Sequence, residues 1–179
     1  MQLFYNSELN EETKSFSFSK DESRHIVKVL RKSAGDPLNI TNGVGWIFEA
    51  KIIVPNHNKC VVKILKSKYI SPIDYSVHLA VSPTKLNDRY EWFLEKATEI
   101  GVTKITPVIS YNSERKIIKS ERFKKIIRSA MKQSLNSHLP SLDSAVSFSE
   151  FIKTPQKGKT FIAHCAAGEK HPFKDHIEA

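Results

Sequence analysis

The hydrophobic pattern along the chain changes its period once, near residue 70. Before that point, apolar and polar residues alternate over 46–52, which is the period of a strand with one buried side. Short apolar runs over 38–40 and 60–65 predict two more strands, and Asn42-Gly43 and residues 55–58 are turn signals between them. Cys60 opens one of these runs and is interpreted as a core residue.

One helix is predicted ahead of these strands. Ser19 and Glu22 form a capping-box pattern that starts it, and Gly35 is expected to end it. Three basic residues recur within it at spacings of four and three, which predicts one shared exposed face, either RNA-facing or merely solvated. These residues are Arg24, Lys28 and Arg31, with His25 beside the first. One helix and several short strands predict a small β-barrel over residues 1–70.

In the second half of the chain, short apolar runs alternate with segments of helical periodicity. Apolar runs over 77–81, 105–109 and 160–163 predict short strands, the first of them buried. Helical periodicity over about 87–100 and about 121–137 predicts the two helices between them, and Pro140 follows the second. Strand, helix, strand, helix, strand is the order that a parallel α/β sheet requires. The chain therefore divides into a barrel domain, 1–70, and an α/β domain, 74–179.

Charge narrows the choice of partners. The 179 residues carry 28 Lys and Arg against 19 Asp and Glu, a net charge of +9, which favours a polyanion: nucleic acid first, an anionic membrane second. No apolar run approaches membrane-spanning length and the N-terminus shows no signal-peptide pattern, so we expect no membrane partner. The two cysteines, Cys60 and Cys165, are far apart, which fits a reducing, cytoplasmic compartment, although a His164-Cys165 nucleophile pair is conceivable.

A first candidate constellation surrounds the first helix of the α/β domain. Lys85, Arg89, Trp92 and Lys96 are spaced by 4, 3 and 4, so they form one stripe if the helix extends back to Lys85. Lys85 follows a strand, at the edge where ligands bind in open α/β sheets. Cations with an interleaved aromatic suit an RNA backbone and a base, whereas a solvated charged face with Trp92 partly in the core is equally compatible with the spacing.

Two further polar segments are candidates. Arg115, in the segment 113–116, follows the next strand and could clamp a phosphate, although a plain polar loop is the alternative. Gln133 and Asn136, with Ser134 and His138 near them, could hydrogen-bond a base, although polar residues are also expected where a helix ends.

Three carboxylates lie one helical turn apart, and they could bind a metal. These are Glu91, Glu95 and Glu99. Because they alternate with Arg89 and Lys96, a salt-bridged face is favoured, and no metal is predicted.

Several motifs together, in the right order, are similar to one known family. From residue 1 to about 152, the chain closely resembles the RsmE family of 16S ribosomal RNA uridine N3 methyltransferases. The resemblance rests on RHIVKVLR at 24–31, Gly35-Asp36, Asn42-Gly43-x-Gly45, AVSPTKLNDR at 80–89, EKATEIGV at 95–102, ITP at 105–107, SER at 113–115 and KQS at 132–134.

The resemblance implies a fold and a function. It implies a PUA-like barrel that grips RNA, followed by a SPOUT-type α/β domain whose knotted C-terminal end builds the S-adenosylmethionine site. It also implies a homodimer in the cytoplasm that acts on the 16S ribosomal RNA of small ribosomal subunits and makes 3-methyluridine. The RNA contacts expected on these grounds are Arg24, His25, Lys28, Arg31, Lys85, Arg89, Lys96, Arg115, Gln133 and Asn136.

Two departures from the family pattern matter. The glycine-rich segment that the resemblance assigns to the methyl donor does not occur up to Ala179. We therefore expect an incomplete SPOUT domain, with cofactor-binding and catalytic residues beyond Ala179, and no activity from the 179 residues alone. Asn136 also stands where the family often has Arg. Two alternatives remain: a non-catalytic RNA-binding module, and a SPOUT methyltransferase that acts on transfer RNA.

Overall fold

A computed structural model describes residues 2–163, 167–168 and 172–176, and it contains two sheets. The first sheet has five strands in the order β1-β3-β4-β5-β2, in which β1 runs parallel to β3 and the other neighbours are antiparallel. They are β1 (Leu3–Tyr5), β2 (Ser15–Ser17), β3 (Pro37–Thr41), β4 (Trp46–Val54) and β5 (Val61–Tyr69). Because β1 and β2 form its two edges, the sheet is open, and we call it the half-barrel.

The alternation predicted for β4 is confirmed. Phe48, Ala50 and Ile52 are buried, whereas Glu49 and Lys51 between them are exposed. This inner side meets the rest of the half-barrel core, which is formed by Phe4, Leu9, Phe18, Ile26, Leu38, Ile40, Cys60 and Val62. Burial raises the pKa of the Cys60 thiol, so it is a protonated core residue, as predicted.

The helix that covers this core is shorter and less regular than predicted. The Ser19 hydroxyl accepts a hydrogen bond from the Glu22 amide (3.4 Å), so the predicted start of α1 (Lys20–Arg24) is confirmed. The helix then widens into a π-helical turn, His25–Val29, and ends well before Gly35. Arg31 lies outside it at φ +53°, so helical spacing does not relate Arg31 to Arg24. All three basic residues of the predicted face are nevertheless exposed.

The second sheet is parallel, as predicted, and its order is β6-β7-β8, with β9 beside the far half of β7. Its elements are β6 (His78–Val81), α2 (Asn87–Glu99), β7 (Lys104–Ile109), α3 (Ser120–Gln133), β8 (Ser141–Leu142), β9 (Val146–Ser147) and α4 (Phe148–Phe151). Helices α2 and α3 bury one face of this sheet around Tyr90, Leu94, Ile105, Phe123 and Ile127. A short 3₁₀ helix, Phe173–His176, follows α4.

Three sequence expectations for this domain are wrong. The strand predicted over 160–163 is irregular chain. Strands β8 and β9 pair with β7 instead, and each has only two residues, one of them polar, so neither can show a strand period. Strand β6 is half-exposed rather than buried because, among the described residues, it is an edge strand with one neighbour. Helix α3 ends at Gln133 rather than near residue 137, since Leu135 turns to φ +57° and is 40% exposed.

The two sheets are joined by backbone hydrogen bonds. The turn between β3 and β4 receives the chain that follows α3: the Leu139 amide donates to the Gly43 carbonyl (2.8 Å), and the Gly45 amide donates to the Ser137 carbonyl (3.0 Å). The Thr41 hydroxyl donates to the same Ser137 carbonyl (3.3 Å). We call this contact between residues 41–45 and 137–139 the domain joint.

Gly45 is required at the domain joint for two reasons. Its φ is +98°, which L-residues with a side chain rarely adopt. A Cβ atom here would lie 2.7 Å from Cε2 of Tyr69, 2.8 Å from the Ile70 carbonyl and 2.9 Å from Nε2 of His138. The turn predicted from Asn42-Gly43 thus also supplies the close approach between the two domains.

Replacing Gly45 by Ala should therefore destabilise the protein more than replacing Gly101 does. Gly101 has a similar φ of +88° but open space around its Cα, so G101A reports the cost of the backbone conformation alone, about 1–2 kcal/mol. G45A adds the clash at the domain joint. Urea unfolding of both variants measures the difference, and equal free energies of unfolding would contradict a tightly packed joint.

Candidate nucleic-acid interface

The carboxyl edge of the parallel sheet, where β6 and β7 end, is held together by serine hydroxyls. The Ser82 hydroxyl, just after β6, donates to the Val108 carbonyl of β7 (2.7 Å). In the loop after β7, the Ser110 amide donates to the Ser113 hydroxyl (2.9 Å), which lies 3.5 Å from that of Ser82. The two loops that leave this edge are thereby fixed to each other.

Arg115 ties the same two loops together from the outside. Its Nε donates to the Thr84 carbonyl (3.2 Å) and its Nη2 to the Lys85 carbonyl (2.7 Å), while Lys85 pairs with Glu114 (3.5 Å). A guanidinium carries five N–H donors, so three remain for a phosphate. Arg115 is thus more than a member of a polar loop, because it positions Lys85 and keeps donors for a ligand.

The predicted stripe on α2 is shorter than the spacing implied. The helix begins at Asn87 with Leu86 as its N-cap, so Lys85 precedes it. Trp92 is 63% exposed rather than partly in the core. Arg89 is exposed as well, and no ion pair of it occurs in the described part of the chain.

The carboxylates of α2 are neutralised by cations. Lys96 lies between Glu99 (2.8 Å) and Glu95 (3.0 Å), and the hydrogen bond to Glu99, followed by that to Glu95, raises the pKa of Lys96. Glu91 binds Arg122 of α3 (2.6 Å). The predicted salt-bridged face is confirmed for Lys96, whereas Arg89 takes no part in it among the described residues and Glu91 pairs with α3 instead. The charge of Lys96 is therefore more fully compensated than that of Arg89.

A cleft between the two domains, lined by none of the domain-joint residues, brings together two residues from separate candidate constellations. His25 of the half-barrel domain and Gln133 at the end of α3 both line a cavity of about 290 Å³. Gln2, Leu3, Phe4, Ser129 and Lys132 complete the lining. We call this cavity the joint cleft. The Lys132 ammonium pairs with Glu22 of α1 (2.9 Å), which links the two domains beside it.

Asn136 and His138 belong to the domain joint rather than to the lining of the joint cleft. The Asn136 side chain accepts a hydrogen bond from the His138 amide (3.0 Å) and so stabilises the turn after α3. Nδ1 of His138 lies 3.2 Å from the Ser137 hydroxyl, and its Nε2 is buried without a hydrogen-bond partner in the described structure.

A polar network lies on the face of the parallel sheet that points away from α2 and α3, and no motif in the sequence predicts it. The Thr106 hydroxyl donates to Asp143 (2.6 Å) and lies 2.7 Å from Nε2 of His78, while Lys104 pairs with Asp143 (2.9 Å). Burial, and then the Lys104 charge, lowers the pKa of His78. Burial opposes ionisation of Asp143, but hydrogen bonds from Thr106 and Lys104 keep its pKa below the ordinary value. Because strand pairing assembles these residues, spacing along the chain could not predict them.

Three further features considered from the sequence are a metal site, a membrane-spanning helix and a His-Cys nucleophile pair. No group of three or more metal-binding side chains occurs within residues 2–163, 167–168 and 172–176. None of the helices in these ranges is long and apolar enough to cross a membrane. The His164-Cys165 pair lies outside the described residues.

Comparison with known proteins identifies the class to which this half-barrel and parallel α/β sheet belong, which is that of RNA-modifying proteins. A family model described as RNA methyltransferase domain matches residues 71–179, and one described as RNA methyltransferase PUA domain matches residues 18–65. The chain belongs to this family of RNA methyltransferases, and its curated homologues are of the RsmE type.

Individual relatives carry names that fit this assignment. The chain is 34% identical to ribosomal RNA small subunit methyltransferase E of Buchnera aphidicola, over 83% of this chain and 62% of the relative. It is similar in structure to a probable rRNA-methyltransferase from Porphyromonas gingivalis (TM-score 0.78, 37% identity, 87% of this chain and 65% of the other).

A second solved structure was determined with a ligand. A putative methyltransferase from Legionella pneumophila, in complex with the bound cofactor SAM, matches with a TM-score of 0.82 and 25% identity, over 93% of this chain and 72% of the other. The present chain spans about 60% of the length of the curated relatives that it matches (59% and 62%).

Replacing Arg115 by Lys should loosen the loop that follows β6. Lysine keeps the positive charge but cannot donate to the Thr84 and Lys85 carbonyls together. Losing one such hydrogen bond removes about 1 kcal/mol of local stability, so the amides of Ser82 and of residues 84–86 should exchange hydrogen roughly fivefold faster. The control is K116R, in the same loop. Unchanged exchange with weakened RNA binding would mean that Arg115 acts only on the ligand.

Proposed function

We propose that this protein methylates a uridine of 16S ribosomal RNA at N3, with S-adenosylmethionine as the methyl donor. The observation that carries the proposal is the match of both family models, in chain order, to a half-barrel and a parallel sheet held together by the domain joint. The names of the relatives support the small-subunit RNA as substrate. The place of action that we propose with it is the cytoplasm.

The described residues contribute RNA positioning to this function rather than a donor site. At the carboxyl edge, the segments 82–86 and 110–119 contain no glycine, so they do not offer the close backbone approach that such a cofactor commonly needs. We therefore assign none of these residues to the donor and none to proton removal from N3. Arg89 and Arg115 lie at this edge and are suited to hold phosphates near the reacting base, while Lys85 beside them is already paired with Glu114 (3.5 Å).

Methyl transfer to isolated small ribosomal subunits is the direct test. The full protein, supplied with S-adenosylmethionine carrying a labelled methyl group, should place the label on N3 of one uridine in 16S ribosomal RNA. Tight binding of that RNA without any transfer would instead favour a non-catalytic RNA-binding module. Transfer to transfer RNA, but not to small subunits, would favour the other alternative.

In titrations of the full protein with the same RNA, R89A should weaken RNA binding more than K96A. Arg89 has no ion pair in the described structure, whereas the Lys96 charge is already compensated by Glu95 and Glu99. We expect R89A to raise the Kd for RNA roughly threefold to tenfold, about 0.7–1.4 kcal/mol, with an unchanged melting temperature. An equal loss in both variants would contradict the role of ion pairing in selecting the RNA contacts.

We also propose that the protein works as a homodimer through the carboxyl edge. Three large apolar side chains are strongly exposed in the loops there: Leu86 (59%), Tyr111 (99%) and Ile117 (84%). Exposed apolar side chains gathered at one place are typical of interfaces. Sedimentation of the full protein should show a dimer that L86S and I117S weaken. The matched control is I152S, which changes an exposed isoleucine in the residue after α4. A monomeric wild-type protein would refute the proposal.

A further inference from the structure

The joint cleft and the carboxyl edge lie at opposite ends of the parallel sheet. Helix α3 starts after the loop that leaves the carboxyl end of β7, and it runs back to Gln133, which lines the joint cleft. Beyond α3, the chain returns to the amino end of β7, where the Ser141 amide donates to the Thr103 carbonyl (3.0 Å). The 14 residues of α3 span about 20 Å, which sets the separation of the two places.

We propose that the joint cleft binds one unpaired base of the RNA, remote from the base that is methylated, and that α3 guides the strand between the two. This inference rests on the proposed function and deepens it by adding a second RNA-recognition site. The separation of about 20 Å corresponds to roughly six nucleotides at a rise of 3.4 Å per nucleotide.

The chemistry of the joint cleft suits a single base. The side chains exposed to the cleft are polar: the amides of Gln2 and Gln133 offer donors and acceptors to a base edge, whereas Leu3 and Phe4, which also line it, are only 3% and 2% exposed. Nε2 of His25 lies 3.2 Å from the Gln2 amide, and an imidazole ring can also stack on a base. The volume of about 290 Å³ is at the lower limit for small-molecule pockets, which fits one base better than a larger ligand.

Helix α3 provides the electrostatic path that leads to the joint cleft. Arg122, Lys125, Ser129 and Lys132 recur at spacings of 3, 4 and 3, so they form one stripe, and its last two members line the cleft. Arg122 and Lys132 are paired with Glu91 and Glu22. Lys125 and the adjacent Arg128 make no ion pair within 4 Å among the described residues. Their charges are therefore available to phosphates.

The base site is tested with two labelled RNA hairpins of equal length, one fully paired and one with a single unpaired nucleotide. The full protein should prefer the second roughly fivefold to a hundredfold, since one stacked base contributes about that much to affinity. Q133A should reduce the preference about fivefold, the effect of one hydrogen bond. Q156A, the same substitution outside the cleft, should leave it unchanged.

The path along α3 is tested by the salt dependence of binding. K125Q should lower the slope of log affinity against log salt concentration by about 0.7–0.9, as expected for one lost phosphate contact. The matched control is K124Q, at the neighbouring position of the same helix, where the lysine is paired with Glu121 (2.8 Å). Equal slopes in the two variants would contradict the proposal that α3 guides the RNA strand through phosphate contacts.

Kinetics separate this inference from the proposed function. Because the base in the joint cleft does not react, Q133A should raise the KM for small subunits about fivefold and leave kcat unchanged. Normal methylation, with the same hairpin preference in Q133A and Q156A, would refute the base site but not the proposed function. Absence of methyl transfer from the wild-type protein would refute the proposed function itself.

Discussion

The arrangement of the two domains depends on backbone hydrogen bonds that only glycine permits. At the domain joint, the Gly43 carbonyl and the Gly45 amide are paired with the chain that follows α3. Side chains on these residues would meet Tyr5, Leu139, Tyr69 and His138. Because backbone bonds fix position and direction together, the half-barrel and the parallel sheet are held in one orientation, and the joint cleft owes its shape to that orientation.

Ion pairing divides the many basic residues of this chain into two groups. Lys96, Lys132 and Arg122 are matched to carboxylates on the same or a neighbouring helix. Arg89 and Lys125 have no such match in the described structure. A net charge of +9 therefore overstates how much of the surface attracts a polyanion, and the unmatched residues matter most.

The sequence could predict the elements whose signal is local. Alternation over β4, the Ser19 cap and the period of α2 report on residues a few positions apart, and the structure bears them out. Periodicity and element order indicated a small barrel and a parallel α/β sheet, and the family motifs added that these are of the PUA-like and SPOUT types. Strands β8 and β9 were missed because two residues are too few to show a period. The joint cleft was missed as a unit because His25 and Gln133 meet only through tertiary packing.

The domain joint also has a consequence for the order of folding. Its Thr41–Ser137 hydrogen bond links residues 96 positions apart, whereas β3, β4 and β5 follow one another through short turns. For a flexible chain, closing so long a loop costs about 3 kcal/mol more than closing a four-residue turn. Each sheet can thus form around its own core first, and the contact that aligns them forms last and opens most easily.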